Sequence, residues 1–389
     1  MFTTFDRYLA GRMLHTFLVF FVATYGLYIV IDLFTNIDAF QMEAQAAADE
    51  AERSGSPWSA QDTLVDMVKR IATYYSYHLS EFLEMAGPLL ITISAVAVLG
   101  LMEKHSESHP VLAAGVPAFR LLTPLLLATV ALNTVLVINQ EFVMPRIAVS
   151  LQAPRGKEHT TKQSVTPVYD YSNHMMHIDG ESVSVEEARL DDASFGLTKH
   201  LVQDACTLRA ESAIFLEETP VHPSGWLLRN LTVVFDPERL TEEGRTRILP
   251  RANGKDIFVV SDVSFEQLYE QGKNPKLLSS MELVSRIRNP ATGRPAALRQ
   301  SLALHARVAR PLLSLLSVMI ALPLVLRRES RDLIVNMAIC GLVLTVVFGF
   351  AQGSLLAGGA NLISPALAAW LPIVATGTTS VWTSGYVQT

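Results

Sequence analysis

The sequence predicts a helical membrane protein with an all-β domain set into it, on three observations. Half of the 389 residues are hydrophobic and only 17% are charged, with a mean hydropathy of +0.29, a balance between a soluble enzyme and a bare channel. Six apolar runs are long enough to cross a bilayer, which takes roughly 20 residues for a hydrocarbon core of about 30 Å. Between the third and fourth lies a polar region from about Glu141 to Arg299 whose pattern is that of strands.

The first run is Thr16 to Phe34, "TFLVFFVATYGLYIVIDLF". The "AQA" at Ala44 to Ala46 fits a signal-peptide cleavage site, but the apolar stretch is longer than an h-region and ends in Asp32, so it is kept as a span. Leu83 to Met102 and Leu121 to Ile138 follow. Beyond the polar region come Ser301 to Leu326, Leu333 to Phe350 and about Leu355 to Val381. The domains expected are residues 1–145 with three spans, a β domain over 146–298, and residues 299–389 with three more.

Lys and Arg near span ends are retained in the cytoplasm. Arg7 and Arg12 precede the first span, Lys104 and Arg120 lie in the second connection, and Arg327, Arg328 and Arg331 lie in the fourth. Those segments are therefore expected inside, with both termini. The acidic loop "QMEAQAAADEAERSGSPWSAQD" and the β domain are expected outside.

From Val165 to about Glu270, short alternating runs are broken by turn signals, the signature of a β-sandwich or barrel. They include "MMHIDGESVSV", with Asp179-Gly180 read as a hairpin turn, "TLRAESAIFLE", "GWLLRNLTVVF" and "KDIFVV". His174 and His177 stand three apart, which on one strand puts them on opposite faces and away from a common metal. An edge strand of such a domain leaves N–H and C=O groups that can accept another β-structured protein.

A net charge of −6 gives no nucleic-acid footprint. Cys206 and Cys340, the two cysteines, are too few for a disulfide framework and read as packing residues. The chain has no G-x-x-x-x-G-K-[ST], so it does not cradle nucleotide phosphates, and no convergent nucleophile or metal set marks it as an enzyme.

Glu103 to Arg120, "EKHSESHPVLAAGVPAFR", is too polar and Pro-broken to continue either neighbouring span. A short helix along the membrane face, with small residues admitting a partner protein, is one reading. A solvated interfacial loop is a second. A zinc pair of His105 and His109 is a third, although Ser106 stands where a zincin has its Glu.

"ESHPVLAAGVPAFRLLTPLL" resembles the cytoplasmic segment of lipopolysaccharide-export permeases of the LptF/LptG (YjgP/YjgQ) type. "FDRYLAGRML" resembles that family's opening, "NQEFVMPRIA" its E-x-x-x-P after the third span, and "SPALAAWLP" its last span. The resemblance implies six transmembrane helices, three plus three, around a central periplasmic jellyroll-like β domain in the bacterial inner membrane. Residues 103–120 are then the coupling helix, with Glu107, Ala113, Ala114, Gly115 and Arg120 as ATPase-coupling residues. It further implies a second permease of the same type, a cytoplasmic ABC ATPase dimer that binds the ATP, and a periplasmic β-jellyroll bridge. This chain itself is expected to hold no cofactor and no metal.

Polar groups in spans are costly and mark candidate contacts for the lipid cargo, lipopolysaccharide or a related glycolipid. Asp32, Glu84, His305, Arg307 and Arg310 are those candidates, with anchoring of helix ends at the headgroups as the alternative for each. The outer end of the first span, "IDLFTNIDAF", departs from the family in carrying Asp32 and Asp38 and no basic residue. A membrane scaffold that presents a β domain without transport is the competing function.

Overall fold

The apolar runs form helices that overshoot them. In the computed structural model, which describes residues 4–384 apart from 56–58, 108–109, 111–112, 114–117, 153–154, 156–161, 166, 185–186, 220–221, 234, 252, 269–273, 289–293 and 326–332, six long helices are present. They are α1 (Thr4–Arg53), α2 (Ala60–Lys104), α3 (Ala118–Ile138), α4 (Arg294–Val325), α5 (Leu333–Gly359) and α6 (Pro365–Ser384). Among the described residues five helices are long and apolar enough to span a membrane; α6 is not one of them. Thr376, Thr378, Thr379 and Ser380 dilute its second half.

The chain divides into two compact units, one of Met1–Ile147 with Leu302–Thr389, the other of Ala148–Ser301. In the helical unit, Leu9, Met13 and Phe17 of α1 pack with Ile91, Val98 and Leu99 of α2 and Leu125 of α3. Val318 and Ala321 of α4 and Cys340 of α5 complete this core, so Cys340 is a packing residue as its surroundings in sequence suggest.

The acidic stretch after the first run is not a loop. α1 has 50 residues, about 75 Å at 1.5 Å per residue, more than twice the hydrocarbon thickness. It bends at Asn36, whose φ of −127° is non-helical and whose amide donates to Asp32 O and Oδ1 at 2.9 and 3.0 Å. Ser59 restarts the chain as the N-cap of α2 in a reciprocal capping box with Asp62. The two helices form a hairpin closed by Phe40, Tyr74 and Tyr75. Deeper, Phe21, Tyr25 and Tyr28 of α1 lie 5.1–5.9 Å from Phe82 of α2, ring centroid to centroid. Such ring pairs add about 0.5–1.5 kcal/mol each beyond area burial.

The last two helices also divide differently from expectation. Leu355 to Gly359 finish α5, and α6 begins only at Pro365. The break is chemical: Asn361 is left-handed at φ +59°, and Leu362 N–H reaches back to Ala357 O at 3.0 Å in a Schellman close. Ser364 and Pro365 then start the next helix.

The second unit is one antiparallel sheet. Its strands are β1 (Lys162–Ser164), β2 (Val168–Asp170), β3 (Met176–Asp179), β4 (Ser182–Ser184), β5 (Arg189–Leu197), β6 (Cys206–Leu216), β7 (Gly225–Leu231), β8 (Ile248–Pro250) and β9 (Ile257–Val260). The order is β1-β4-β5-β6-β7-β9-β8, with β2 joined through β3 to β5. Asp179-Gly180 is not a hairpin turn. β3 and β4 run alongside β5 in one register, Asp179 opposite Ser194 and Ser182 opposite Asp191, so Gly180 marks a bend between two strands that share one neighbour. A Cβ on Gly180 would lie 2.5 Å from Leu190 Cδ1 and 3.0 Å from the Asp191 carbonyl oxygen, so a larger residue there would displace the buried Leu190 side chain.

Trp226 is the centre of this core, touching Phe195, Phe215 and Phe265 and donating its Nε1–H to Val263 O at 2.9 Å. Cys206 packs against the same cluster. Leu227, Phe258 and Val260 form a smaller apolar cluster apart from it. Consequently β9 is buried at every position, and alternation is absent there.

Candidate functional site

Three of the five candidate cargo residues converge. Arg310 Nη1 of α4 lies 2.7 Å from Glu84 Oε1 of α2, and Arg307 Nη1 lies 3.3 Å from Glu141 Oε1. With its amide oxygen turned to Arg307, Gln140 accepts from Arg307 Nε at 3.2 Å and donates to Glu84 Oε1 at 3.2 Å. Two arginines and two carboxylates thus form one neutral, bridged cluster. The Arg307 side chain is 6% exposed and that of Glu84 13%. Ionised groups so placed are retained only when paired and hydrogen-bonded.

A π-helical turn, Asn139–Val143, aims one side of the cluster. Met144 N–H bonds to Asn139 O, five residues back, so this turn holds an extra residue after α3. Three successive side chains are then all used. Asn139 exchanges hydrogen bonds with Ser80 of α2, its Nδ2 donating to Ser80 O at 3.1 Å while the Ser80 hydroxyl donates to its Oδ1. Gln140 and Glu141 take the charges.

Three of the four charged residues stand four before a proline: Glu84 before Pro88, Glu141 before Pro145, Arg307 before Pro311. Proline has no N–H, so the carbonyl of each of these three lacks its helical donor, and the helix is loosened where the charge sits. The same device recurs in α6, where Pro372 frees Ala368 O and the Ser354 hydroxyl fills it at 2.7 Å.

Asp32 and His305 stand apart from the cluster. Asp32 accepts from Tyr75 Oη at 2.9 Å and from Asn36. His305 Nδ1 lies 3.4 Å from Trp370 Nε1.

At the opposite end of the helical unit, Glu107 lies 2.8 Å from Arg12, and Arg120 lies 3.1 Å from Asp6. Ala113 is helical and exposed; Ala114, Gly115 and His109 lie outside the described residues. His105 is the C-cap of α2.

In the β unit, His174 is in a turn at φ +52° and not on a strand, its Nε2 2.8 Å from Glu243. His177, on β3, packs on Tyr169. No group of three His, Cys, Asp or Glu poised for a metal is present among the described residues.

Gln140, Glu141, Asp6 and Arg12 do not stand out as site residues in the sequence. The signal that points to the charged three is charge balance: two acids near span ends need two bases, and Glu107 and Arg120 need partners of opposite sign.

This is a polytopic membrane protein with internally neutralised intramembrane charge and an inserted antiparallel sheet. The model of the family "Lipopolysaccharide export system permease LptF/LptG" matches residues 67–386, from within α2 through α6. The chain belongs to that family, and is thus a membrane-embedded permease component of lipopolysaccharide export. No curated protein matches the chain.

Proposed function

We propose that this chain is one permease half of an ABC transporter that draws lipopolysaccharide, or a related glycolipid, out of the inner membrane. The observation that carries the reading is the family match, which takes in the whole β unit and helices on both sides of it. The chain crosses the membrane six times, with both termini in the cytoplasm and the jellyroll-like β unit in the periplasm. It pairs with a second permease of LptF/LptG type, of the same or a different sequence. A cytoplasmic ATPase dimer binds the ATP and pushes on residues 103–120, and the β unit hands the lipid to a periplasmic β-jellyroll bridge.

Cargo meets the chain at Asp32, Glu84, His305, Arg307 and Arg310. A phosphorylated headgroup competes with Glu84 and Glu141 for the two arginines, a trade of one charge-assisted bond for another. The exchange leaves the Glu84 and Glu141 carboxylates without their cations, so it requires water or other donors to reach them while the cargo holds the arginines.

Purification from the native membrane, followed by reconstitution into proteoliposomes containing lipopolysaccharide, tests the reading. An ABC ATPase is expected to copurify, and added ATP to release lipopolysaccharide to the bridge protein. If no ATPase accompanies the chain and ATP releases nothing, the non-transporting scaffold takes its place.

A further inference from the structure

Residues Glu107 and Arg120 close the two ends of the connection between α2 and α3, and both are bound within their own chain. Glu107 is placed by backbone geometry. Ser106 is left-handed at φ +54°, Ser106 N–H bonds to Glu103 O at 3.0 Å, and Glu107 N–H bonds to Met102 O at 2.9 Å. That pair of bonds is a Schellman close of α2, so the Glu107 backbone is fixed to the helix end. Its carboxylate then meets Arg12 Nη1 at 2.8 Å, while the same nitrogen lies 2.8 Å from Tyr8 Oη and the guanidinium 5.7 Å from the Tyr8 ring centre. Arg12 is therefore held on its own helix as it holds Glu107.

The far end repeats the arrangement with the signs exchanged. Arg120, in the first turn of α3, donates to Asp6 Oδ2 at 3.1 Å, and the Asp6 side chain is 8% exposed. Asp6 and Arg12 are six residues apart on α1, which is about 9 Å along the axis and about 120° around it. Two attachments so separated fix both the position and the rotation of α1 against the connection.

We infer that Asp6 and Arg12 are positioning residues, a two-point clamp that ties the connection between α2 and α3 to α1 through Arg120 and Glu107. The clamp converts a push on that connection into a movement of α1. On this assignment Glu107 and Arg120 transmit force within the permease, and the ATPase is met by the segment between them. The clamp itself stands without the transport reading; its coupling role rests on that reading.

The test uses charge exchange in the purified full-length chain, followed by hydrogen–deuterium exchange of amides over residues 103–120. Arg12→Glu and Glu107→Arg, each alone, are expected to speed exchange there about fivefold or more, the loss of about one kcal/mol of ion pairing. The double exchange returns the rate to within about twofold of the parent. Asp6→Arg, Arg120→Asp and their double behave alike. Amides of residues 90–100 in the core of α2 report that the helical unit of each variant is folded. A rate unchanged by Arg12→Glu, or a double variant no better than the worse single, overturns the clamp.

The coupling role is read in the reconstituted complex as lipopolysaccharide released per ATP hydrolysed. Single variants are expected to hydrolyse ATP with less release, and the double to recover it. A double variant that regains slow amide exchange but not release overturns the coupling role and assigns Glu107 to the ATPase. A parent chain that brings no ATPase defeats the transport reading, while amide exchange still decides the clamp.

Discussion

Arg310 Nη1 lies 2.7 Å from Glu84 Oε1, joining α4 to α2 across 226 residues of sequence. With Arg307, Gln140 and Glu141 it makes the hairpin end of three helices a single electrostatic object. Helices from both sides of the inserted β unit are bound there by groups that cannot be left unpaired in hydrocarbon. The pairing therefore serves the assembly of the helical unit.

Removing one partner should cost more than removing both. Glu84→Gln leaves Arg310 short of a counter-charge and is expected to destabilise the detergent-purified protein by about 3 kcal/mol. Glu84→Gln with Arg310→Gln should recover a third or more of that loss, a coupling visible in a double-mutant cycle. Additive losses in equilibrium unfolding would show that the pair is not a unit.

The π turn sets the direction of Glu141. Deleting Phe142 removes the extra residue and lets the turn relax to an α-helix, which shifts Glu141 around the axis relative to the helical residues from Met144 onward. The deletion should destabilise at least as much as Glu141→Ala, and Glu141→Ala should then add nothing to it. A further loss from the added substitution would mean that Glu141 still reaches Arg307 without the π turn.

The tip of the α1–α2 hairpin depends on a cap. Ser59→Ala removes the hydroxyl that bonds Asp62, and should cost the first turn of α2 about 1 kcal/mol, read as faster amide exchange over residues 60–63 with residues 90–100 unchanged. The Ser59 hydroxyl and backbone N–H also hold the Asp62 carboxyl below the usual carboxylate range. Because the folded value is the lower one, this contribution is full above the unfolded value near about 4 and is lost as pH falls through the folded value. Protection of that turn should fall on acidification in the parent and fall less in Ser59→Ala, which keeps only the backbone N–H bond to Asp62.

Apolar length made the first five long helices legible, because burial in lipid demands it of any sequence. It did not disclose that α1 and α2 continue beyond their apolar runs, since "DAFQMEAQAAADEAER" is polar and only its helix propensity, with buried Phe40 packing on Tyr74, holds it. Strands β6, β7 and β9 were visible from their turns and apolar runs. Gly180 misled because Asp-Gly favours a turn locally, while β5 lies along both sides of it and overrides that preference. The cost of intramembrane charge points to Glu84, Arg307 and Arg310, which converge, and equally to Asp32 and His305, which do not. Gln140 escapes it, because a neutral amide carries no such signal and its position depends on the π turn.

Gly225 separates a backbone constraint from a side-chain one. A Cβ there would lie 2.3 Å from Val259 O and 3.0 Å from Val260 Cα, both backbone of the neighbouring strand β9. A Cβ on Gly100 meets only the far end of the Met337 side chain, at 2.8 Å from its sulfur. Sheet hydrogen bonds fix β9, whereas a methionine can change rotamer. Gly225→Ala should therefore destabilise the β unit by more than about 2 kcal/mol, and Gly100→Ala the helical unit by less than about 1.5 kcal/mol. Thermal unfolding followed by far-UV circular dichroism, with amide exchange to assign each transition to its unit, checks both. Equal losses would mean that the strand yields as readily as the side chain.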